Sequence, residues 1–288
     1  MVAAIIASMR PKQWSKNLII FAGLIFSQHF FDLSFLKISF LAFVAFCLNA
    51  SSVYLINDLK DLEQDRLHPV KKFRPLASGR ISQQQAAIFS VILALFSLTL
   101  AFNLHRGFGL LLASYWVMMI SYSFKLKHVV IVDILIISIG FIIRAISGAV
   151  VLDVLISRWL MACAIFLSLF LILAKRRVEI VELGAEAVNH RAILEEYGER
   201  FLDQMIAVVT ACTIISYVLY TVGPETVAKF ETHNLILTVP FVIYGIFRYL
   251  YLVYQRNMGG RPEVVLLTDR PLVFSVFLWI IASILIVY

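Results

Sequence analysis

The 288-residue chain has few charged residues and few cysteines. Charged side chains make up 15% of it, against about 25% in soluble domains, and 61% of its residues are hydrophobic. A soluble domain of this length could not bury so much apolar surface in one core. The three cysteines, Cys47, Cys163 and Cys212, stand alone in apolar stretches, so they imply neither a metal site nor a disulfide. The composition therefore indicates an integral membrane protein.

Nine apolar runs approach the length of about 20 residues that a helix needs to cross a bilayer. None shows the alternation of a barrel strand, so the sequence predicts an all-α bundle of nine transmembrane helices. We expect one domain covering residues 1–288. The runs cover approximately residues 17–30, 35–55, 85–102, 107–124, 130–151, 159–174, 204–222, 235–254 and 272–288.

The lysines and arginines are distributed unevenly between the two sides of these predicted spans. Nineteen lie before span one or after spans two, four, six and eight, four lie on the opposite side, and two lie within spans. The positive-inside rule therefore predicts a multi-pass protein with the N-terminus and a polar cap in the cytoplasm and the C-terminus outside. The membrane expected for it is the inner (plasma) membrane of a prokaryote. Topology and contact with anionic membrane lipids explain the net charge of +7, so we expect no nucleic-acid partner.

Topology does not explain the acidic residues that follow span two. In the segment NDLKDLEQDRLHPVKKFRP, which begins at Asn57, an asparagine and three aspartates recur at helical spacing. At about 100° per residue they share one stripe of a helix, whereas Glu63 points elsewhere. Carboxylates this close repel one another unless a cation lies between them, and hard oxygen ligands favour Mg²⁺. The predicted magnesium ligands are Asn57, Asp58, Asp61 and Asp65, and the three aspartates are also the predicted catalytic residues.

Basic side chains follow the aspartates directly. Lys71, Lys72 and Arg74 are suited to binding phosphate through charge and paired hydrogen bonds. The order of the motif predicts that carboxylates hold a metal ion, that the metal holds a substrate phosphate, and that the basic segment closes over it. The alternative is a solvated loop of mixed charge, in which acidic and basic side chains only pair with each other.

At this motif the sequence resembles the UbiA superfamily of intramembrane prenyltransferases. The first acidic motif of that superfamily, NDxxDxxxD, is matched at every fixed position by residues 57–65. Further segments resemble one branch of it, the decaprenyl-phosphate phosphoribosyltransferases. These segments are RPKQWSKN (10–17), DRLHPVKKFRPLASG (65–79), YSFKLKHVVIVD (122–133), RAISG (144–148), LAKRRVE (173–179) and GRPEVVLLTDRPL (260–272).

The resemblance implies a nine-helix bundle with a cytoplasmic polar cap, and an activity at that cap. The implied reaction transfers 5-phosphoribosyl from phosphoribosyl diphosphate to a polyprenyl phosphate, with Mg²⁺ as cofactor and diphosphate as the second product. One segment departs from the superfamily pattern. Many members carry DxxxD after span six, whereas residues 174–186 read AKRRVEIVELGAE, with Glu179, Glu182 and Glu186 instead. This departure weakens the expectation of a second metal site and of an ordinary prenyltransferase.

Other candidate substrate-binding residues lie outside the first loop. A ribosyl donor carries a 5-phosphate beside its diphosphate and so needs more cations than a prenyl diphosphate does. The candidates for the donor outside the first loop are Lys175, Arg176, Arg177, Glu179, Arg261 and Arg270. The candidates for the lipid phosphate at the membrane mouth are Lys12, Lys16 and Lys127.

Two ionisable residues lie in or at the edge of span five. Asp133 and Arg144 are eleven residues apart, so they share a helix face without touching. Charged groups at membrane depth are usually functional or paired, and we predict that both line a cavity. The alternative is that each pairs with another buried polar group. Tyr122, Tyr197 and His68 are predicted to be structural or rim residues.

Two other functions stay open at this stage. A prenyltransferase of the same superfamily would use a prenyl diphosphate donor and an aromatic or other acceptor. A non-catalytic lipid transporter or scaffold would keep the bundle but would not need the stripe of magnesium ligands. A homo-oligomer is equally compatible with the sequence.

Overall fold

The computed structural model describes residues 2–25, 28–183, 196–260 and 262–287. Across these ranges all regular secondary structure is helical. Eight helices in the described ranges are long and apolar enough to cross a membrane. With the α-helices numbered in chain order, they are α3 (Leu33–Lys60), α5 (Gln83–Leu104), α6 (Arg106–Phe124), α7 (Val132–Val150), α8 (Arg158–Leu183), α9 (Glu199–Val222), α11 (Val239–Arg256) and α13 (Arg270–Val287). The protein is therefore an all-α, multi-pass membrane protein, as the sequence predicts.

Shorter helices connect or precede these spans. The short α-helices are α1 (Val2–Ser8), α2 (Ala22–Ile25), α4 (Leu62–Leu67), α10 (Pro224–Phe230) and α12 (Pro262–Thr268). The 3-10 helices cover Pro11–Phe21, Lys71–Phe73, Leu126–His128 and Asn234–Thr238.

The first predicted span, residues 17–30, is not one of the eight long helices. It falls on the 3-10 helix and on α2, with residues 26 and 27 outside the described ranges. Close backbone packing accompanies this geometry. A Cβ atom added at Gly148 would lie 2.0 Å from the carbonyl oxygen of Ile20, and one added at Gly23 would lie 2.5 Å from that of Gly148. Glycine is therefore required at both positions, and the count of nine spans stays a prediction.

The chain separates into two compact units. The first comprises Met1–Lys127 with Ile143–Leu155, and the second comprises His128–Ile142 with Ile156–Tyr288. Each unit has its own apolar core. Large buried side chains include Phe46, Phe108 and Leu112 in the first unit and Phe170, Leu202 and Tyr249 in the second. One domain over residues 1–288 stays a prediction.

Helix α3 carries the acidic motif at its C-terminal end. Its 28 residues are about 42 Å long at 1.5 Å per residue, which exceeds a hydrocarbon core of about 30 Å. Small polar side chains fix it to α5, because Asn49 Nδ2 donates to Ser97 Oγ at 3.2 Å and the hydroxyls of Ser52 and Ser90 lie 3.3 Å apart. Such pairs hold membrane helices together where apolar packing against lipid gives no preference. These bonds tie α3 to α5 just upstream of the acidic motif.

Candidate functional site

The acidic motif lies where α3 passes into α4. Asp61 is the one residue between the two helices, with φ −95° and ψ 12°. Helical hydrogen bonds continue across it, since Asp61 N–H donates to the carbonyl of Asn57 at 2.9 Å and Asp65 N–H donates to that of Asp61 at 2.8 Å. The helical phase is therefore kept through the junction, which brings the motif's polar side chains to related directions.

Asp58 and Asp65 are buried and share one guanidinium. Arg74 Nη1 donates to Asp58 Oδ1 at 3.0 Å and to Asp65 Oδ2 at 2.6 Å, and the two residues are 3% and 2% exposed. Arg10 donates to the same oxygen of Asp58. Two arginines thus neutralise two buried carboxylates, which would be costly to bury without a partner.

Asp61 has a separate set of partners. Asn57 Nδ2 donates to Asp61 Oδ2 at 3.1 Å, and Lys127 Nζ donates to Asp61 Oδ1 at 2.7 Å. Glu63 has a different environment, because its side chain is 80% exposed and pairs with Arg66 at 2.9 Å. The distinction between Glu63 and the other acidic residues is the one that helical spacing predicts.

The structure pairs the aspartates with the protein's own cations. Among the described residues, no three Asp, Glu, His or Cys side chains form a group that could hold a metal ion. The donor set nevertheless suits Mg²⁺ chemically, because it offers three carboxylates and an amide oxygen. One cationic nitrogen of Arg74 lies within 3.0 Å of both Asp58 and Asp65, so these two carboxylates already share one positive charge. The residue types suit the ion, whereas the described geometry does not gather three of these side chains, and the magnesium site stays a prediction.

The other basic candidates of the first unit differ in environment. Arg74 and Lys127 contact aspartates, as described above. Lys72 is exposed, with its ammonium 5.3 Å from the ring centroid of Phe73. Lys12 is exposed, whereas Lys16 and Lys71 are half-buried.

Arg144 lies in a buried polar network of the first unit. Its Nε donates to Asn17 Oδ1 at 2.6 Å and its Nη2 donates to Tyr115 Oη at 2.7 Å. The guanidinium also lies 4.6 Å from the centroid of the Tyr115 ring, which adds a cation–π contact. The structure therefore shows the pairing that the sequence leaves as an alternative, and the cavity-lining role of Arg144 stays a prediction.

The second unit contains another buried network, built around Asp133. Arg176 Nη2 donates to Asp133 Oδ2 at 3.1 Å, and Arg176 Nη1 donates to Glu179 Oε2 at 2.9 Å. Tyr197 Oη donates to Asp133 Oδ1 at 2.7 Å and accepts from Ile131 N–H at 2.6 Å. Burial, followed by the bond to Asp133, raises the pKa of Tyr197 above its usual value. Asp133 too is paired with buried polar groups, and its predicted cavity-lining role is untested.

Lys175 and Arg177 flank Arg176 on α8 and also face carboxylates. Arg177 Nε donates to Asp203 Oδ1 at 2.6 Å, and Tyr254 Oη donates to the same oxygen at 2.8 Å. Lys175 Nζ lies 3.7 Å from Glu179 Oε1 and its side chain is 39% exposed. Arg270 is exposed at the start of α13, and Arg261 lies outside the described residues.

The structure adds Arg10 to the residues of the acidic motif. Sequence reasoning missed this contact, although it singled out the segment RPKQWSKN that Arg10 begins. Arg10 and Asp58 are 48 residues apart, and helical spacing carries no information over that separation. Tyr197 was predicted to be structural or at a rim, and its contacts with Asp133 and Ile131 are of the structural kind.

The protein thus combines an all-α, multi-pass membrane fold with an aspartate-rich polar segment that follows its first long helix. The chain belongs to the UbiA prenyltransferase family, whose family model matches residues 17–281. It is similar to the decaprenyl-phosphate phosphoribosyltransferase of Mycolicibacterium smegmatis, with 33% identity over 97% of this chain and 91% of that protein. The enzyme of the same name from Mycobacterium tuberculosis is 32% identical over 97% of this chain and 93% of its own length.

Solved structures agree on the fold. A UbiA homolog from Archaeoglobus fulgidus, bound to GPP and Mg²⁺, superposes with a TM-score of 0.72 over 99% of both chains at 17% identity. A UbiA homolog from Aeropyrum pernix superposes with a TM-score of 0.65 over 94% of this chain and 96% of its own, at 14% identity. At such low identity the likeness concerns the fold alone.

Proposed function

We propose that this protein transfers 5-phosphoribosyl from phosphoribosyl diphosphate to a polyprenyl phosphate, with release of diphosphate. The observation that carries the proposal is the identity of 32–33%, over 97% of the chain, with relatives named for this type of transfer. The paired aspartates and cations of the first unit support it, because both substrates of such a reaction carry phosphate groups.

In this proposal the acidic motif serves the leaving diphosphate. Asn57, Asp58, Asp61 and Asp65 would hold Mg²⁺, which when bound supplies positive charge to the departing diphosphate. Arg74 and Lys127, which contact the aspartates, would provide further charge for phosphate oxygens. The acceptor phosphate is already anionic, so its attack on ribose C1 requires no general base. The protein's contribution is then mainly the placement of the two substrates and electrostatic stabilisation.

The three consecutive cations of α8 differ in how available they are to a phosphate group. The Arg176 side chain is buried against Asp133 and Glu179, and Arg177 is held by Asp203. Lys175 is the most exposed of the three consecutive cations and only approaches its carboxylate. Among these three cations we therefore favour Lys175 for contact with a phosphate, with Arg176 holding Glu179 in place.

The proposed reaction takes place at the cytoplasmic face of the membrane. The charge distribution supports a cytoplasmic location for the polar loops, where a water-soluble ribosyl donor would be available, and the lipid acceptor would enter from the bilayer. Lys12 and Lys16 remain the candidates for its phosphate, since they lie near the start of the membrane-embedded part of the sequence. This orientation belongs to the proposal together with the substrates.

The test uses membranes from cells that express the chain. They are incubated with phosphoribosyl diphosphate labelled in the ribose and with a panel of polyprenyl phosphates. We expect a labelled lipid that disappears with EDTA and returns with added Mg²⁺. Transfer of a labelled prenyl group from a prenyl diphosphate to an aromatic acceptor, with no ribosyl lipid, would instead establish the prenyltransferase alternative. If membranes that contain the folded protein form neither product, a transporter or scaffold is favoured.

A further inference from the structure

Arg10 joins the N-terminal segment to the acidic motif. Its guanidinium donates to Asp58 Oδ1 and lies 4.9 Å from the centroid of the Tyr54 ring, one turn earlier on α3. A further turn back, Ser51 Oγ donates to the carbonyl of Met9 at 3.0 Å and accepts from Trp14 Nε1 at 3.2 Å. The segment around Arg10 is thus fixed along one stripe of α3 that ends at Asp58.

The backbone of Arg10 is in the left-handed region, with φ 54° and ψ 62°. Residues other than glycine rarely adopt this conformation, and Arg10 also precedes Pro11, the first residue of the 3-10 helix. Such conformations persist where the surrounding contacts enforce them, and they are frequent at binding sites. Here the conformation aims the Arg10 side chain at a single oxygen of Asp58.

That oxygen receives two guanidiniums, from Arg10 and from Arg74. Arg74 also reaches Asp65, so it bridges the two carboxylates, whereas the Arg10 guanidinium pairs with Asp58. The Arg10 side chain is 24% exposed, so it is not fully enclosed by the protein. A metal ion that bound Asp58 Oδ1 would compete with this guanidinium, since both use the lone pairs of that oxygen.

We propose that Arg10 competes with the metal ion for Asp58 in the unloaded protein and transfers to a diphosphate oxygen when a diphosphate ligand binds with the metal. This inference rests on the proposed function only in taking Asp58 as a metal ligand beside a diphosphate. It makes the binding of metal and of diphosphate cooperative. Metal alone has to break the Arg10 ion pair, whereas metal with diphosphate offers Arg10 a new anionic partner.

The test measures two affinities on purified protein in detergent. Binding of Mn²⁺ alone is followed by electron paramagnetic resonance, and binding of inorganic pyrophosphate in the presence of Mg²⁺ is followed by calorimetry. In Arg10→Gln we expect Mn²⁺ to bind about tenfold more tightly and pyrophosphate about tenfold or more weakly, the scale of one charge-assisted hydrogen bond. Shifts of opposite sign are the signature of competition followed by transfer.

Arg66→Gln is the matched control. It removes the same charge from the same region, but Arg66 is 48% exposed and pairs with the solvated Glu63. It should change neither affinity by more than about twofold, because exposed ion pairs contribute little. If Arg10→Gln does not fold, Arg10→Gly replaces it, since glycine favours the backbone conformation at this position.

The outcomes separate this inference from the proposed function. If Arg10→Gln weakens both ligands, Arg10 merely supports the structure of the motif and the competition is refuted. If neither affinity changes, Arg10 takes no part in the site. Tighter Mn²⁺ binding with unchanged pyrophosphate binding refutes the transfer. Failure of the wild-type protein to bind pyrophosphate with Mg²⁺ would count against the proposed function itself.

Discussion

Replacing Asp133 by asparagine should destabilise the second unit strongly. Asp133 is fully buried, and the side chain of its partner Arg176 is 4% exposed, with Nη2 3.1 Å from Asp133 Oδ2. Asparagine preserves the shape and can still accept from Tyr197, so the change removes charge rather than packing. Removing one member of a buried ion pair costs about 3–5 kcal/mol, because the other charge stays buried. Arg176 also pairs with Glu179, which favours the lower end, about 3 kcal/mol.

The measurement is the free energy of unfolding in detergent, followed by tryptophan fluorescence. Glu63→Gln is the control, because it makes the same chemical change in a side chain that is 80% exposed, where an ion pair is worth less than about 1 kcal/mol. A double variant that adds Arg176→Met to Asp133→Asn should cost less than the two single changes together. If the free energies of unfolding of Asp133→Asn and Glu63→Gln differ by less than about 1 kcal/mol, which is the most that an exposed ion pair contributes, the reasoning about burial is refuted.

Three further predictions concern the motif, the topology and the response to pH. Each of Asp58→Asn, Asp61→Asn and Asp65→Asn should lower transferase activity about a hundredfold, and Glu63→Gln should do far less; equal losses would contradict the helical phasing. Tags at Ser78 and Glu196 should be cytoplasmic, and therefore protected from a labelling reagent added to intact cells, whereas a tag at Tyr288 should react with it. A cytoplasmic Tyr288 would overturn the predicted topology. The raised pKa of Tyr197 means that the folded state holds the phenol proton more tightly than the unfolded state does. The contribution of Tyr197 to the free energy of unfolding is therefore complete below the usual tyrosine pKa of 10.0, and it is lost as the pH rises from there toward the raised pKa. Tyr197→Phe should therefore flatten the loss of stability between about pH 10 and 11, and an unchanged slope would contradict this.

Local sequence features predicted the spans and the acidic stripe: the length of apolar runs predicted the spans, and helical periodicity predicted the stripe. Eight of the predicted apolar runs fall on long helices, because a membrane-crossing helix is specified by a continuous stretch of sequence. The separation of Glu63 from the aspartates follows from the helical repeat, which the hydrogen bonds at Asp61 carry from α3 into α4. These are properties of neighbouring residues, so the sequence was sufficient to derive them.

Contacts between distant residues were beyond sequence reasoning. The 3-10 form of Pro11–Phe21 goes with the approach of Ile20 to Gly148, which lies more than a hundred residues later in the sequence. The partners of Asp58 and Asp133 likewise come from other segments, and the sequence offered many basic residues for each. The number of lysines and arginines in the polar loops indicated that these residues would bind phosphates. In the structure several of them, such as Arg74, Lys127 and Arg177, form ion pairs with carboxylates.

The most direct test of the proposed transfer is the mass of the lipid product formed by the purified protein. The protein is reconstituted in liposomes with Mg²⁺, a polyprenyl phosphate and phosphoribosyl diphosphate, and lipid and diphosphate are quantified together. We predict a lipid that has gained one ribose 5-phosphate unit, with one diphosphate released for each lipid converted. An unchanged polyprenyl phosphate, from protein that consumes a prenyl diphosphate under the same conditions, would contradict the account.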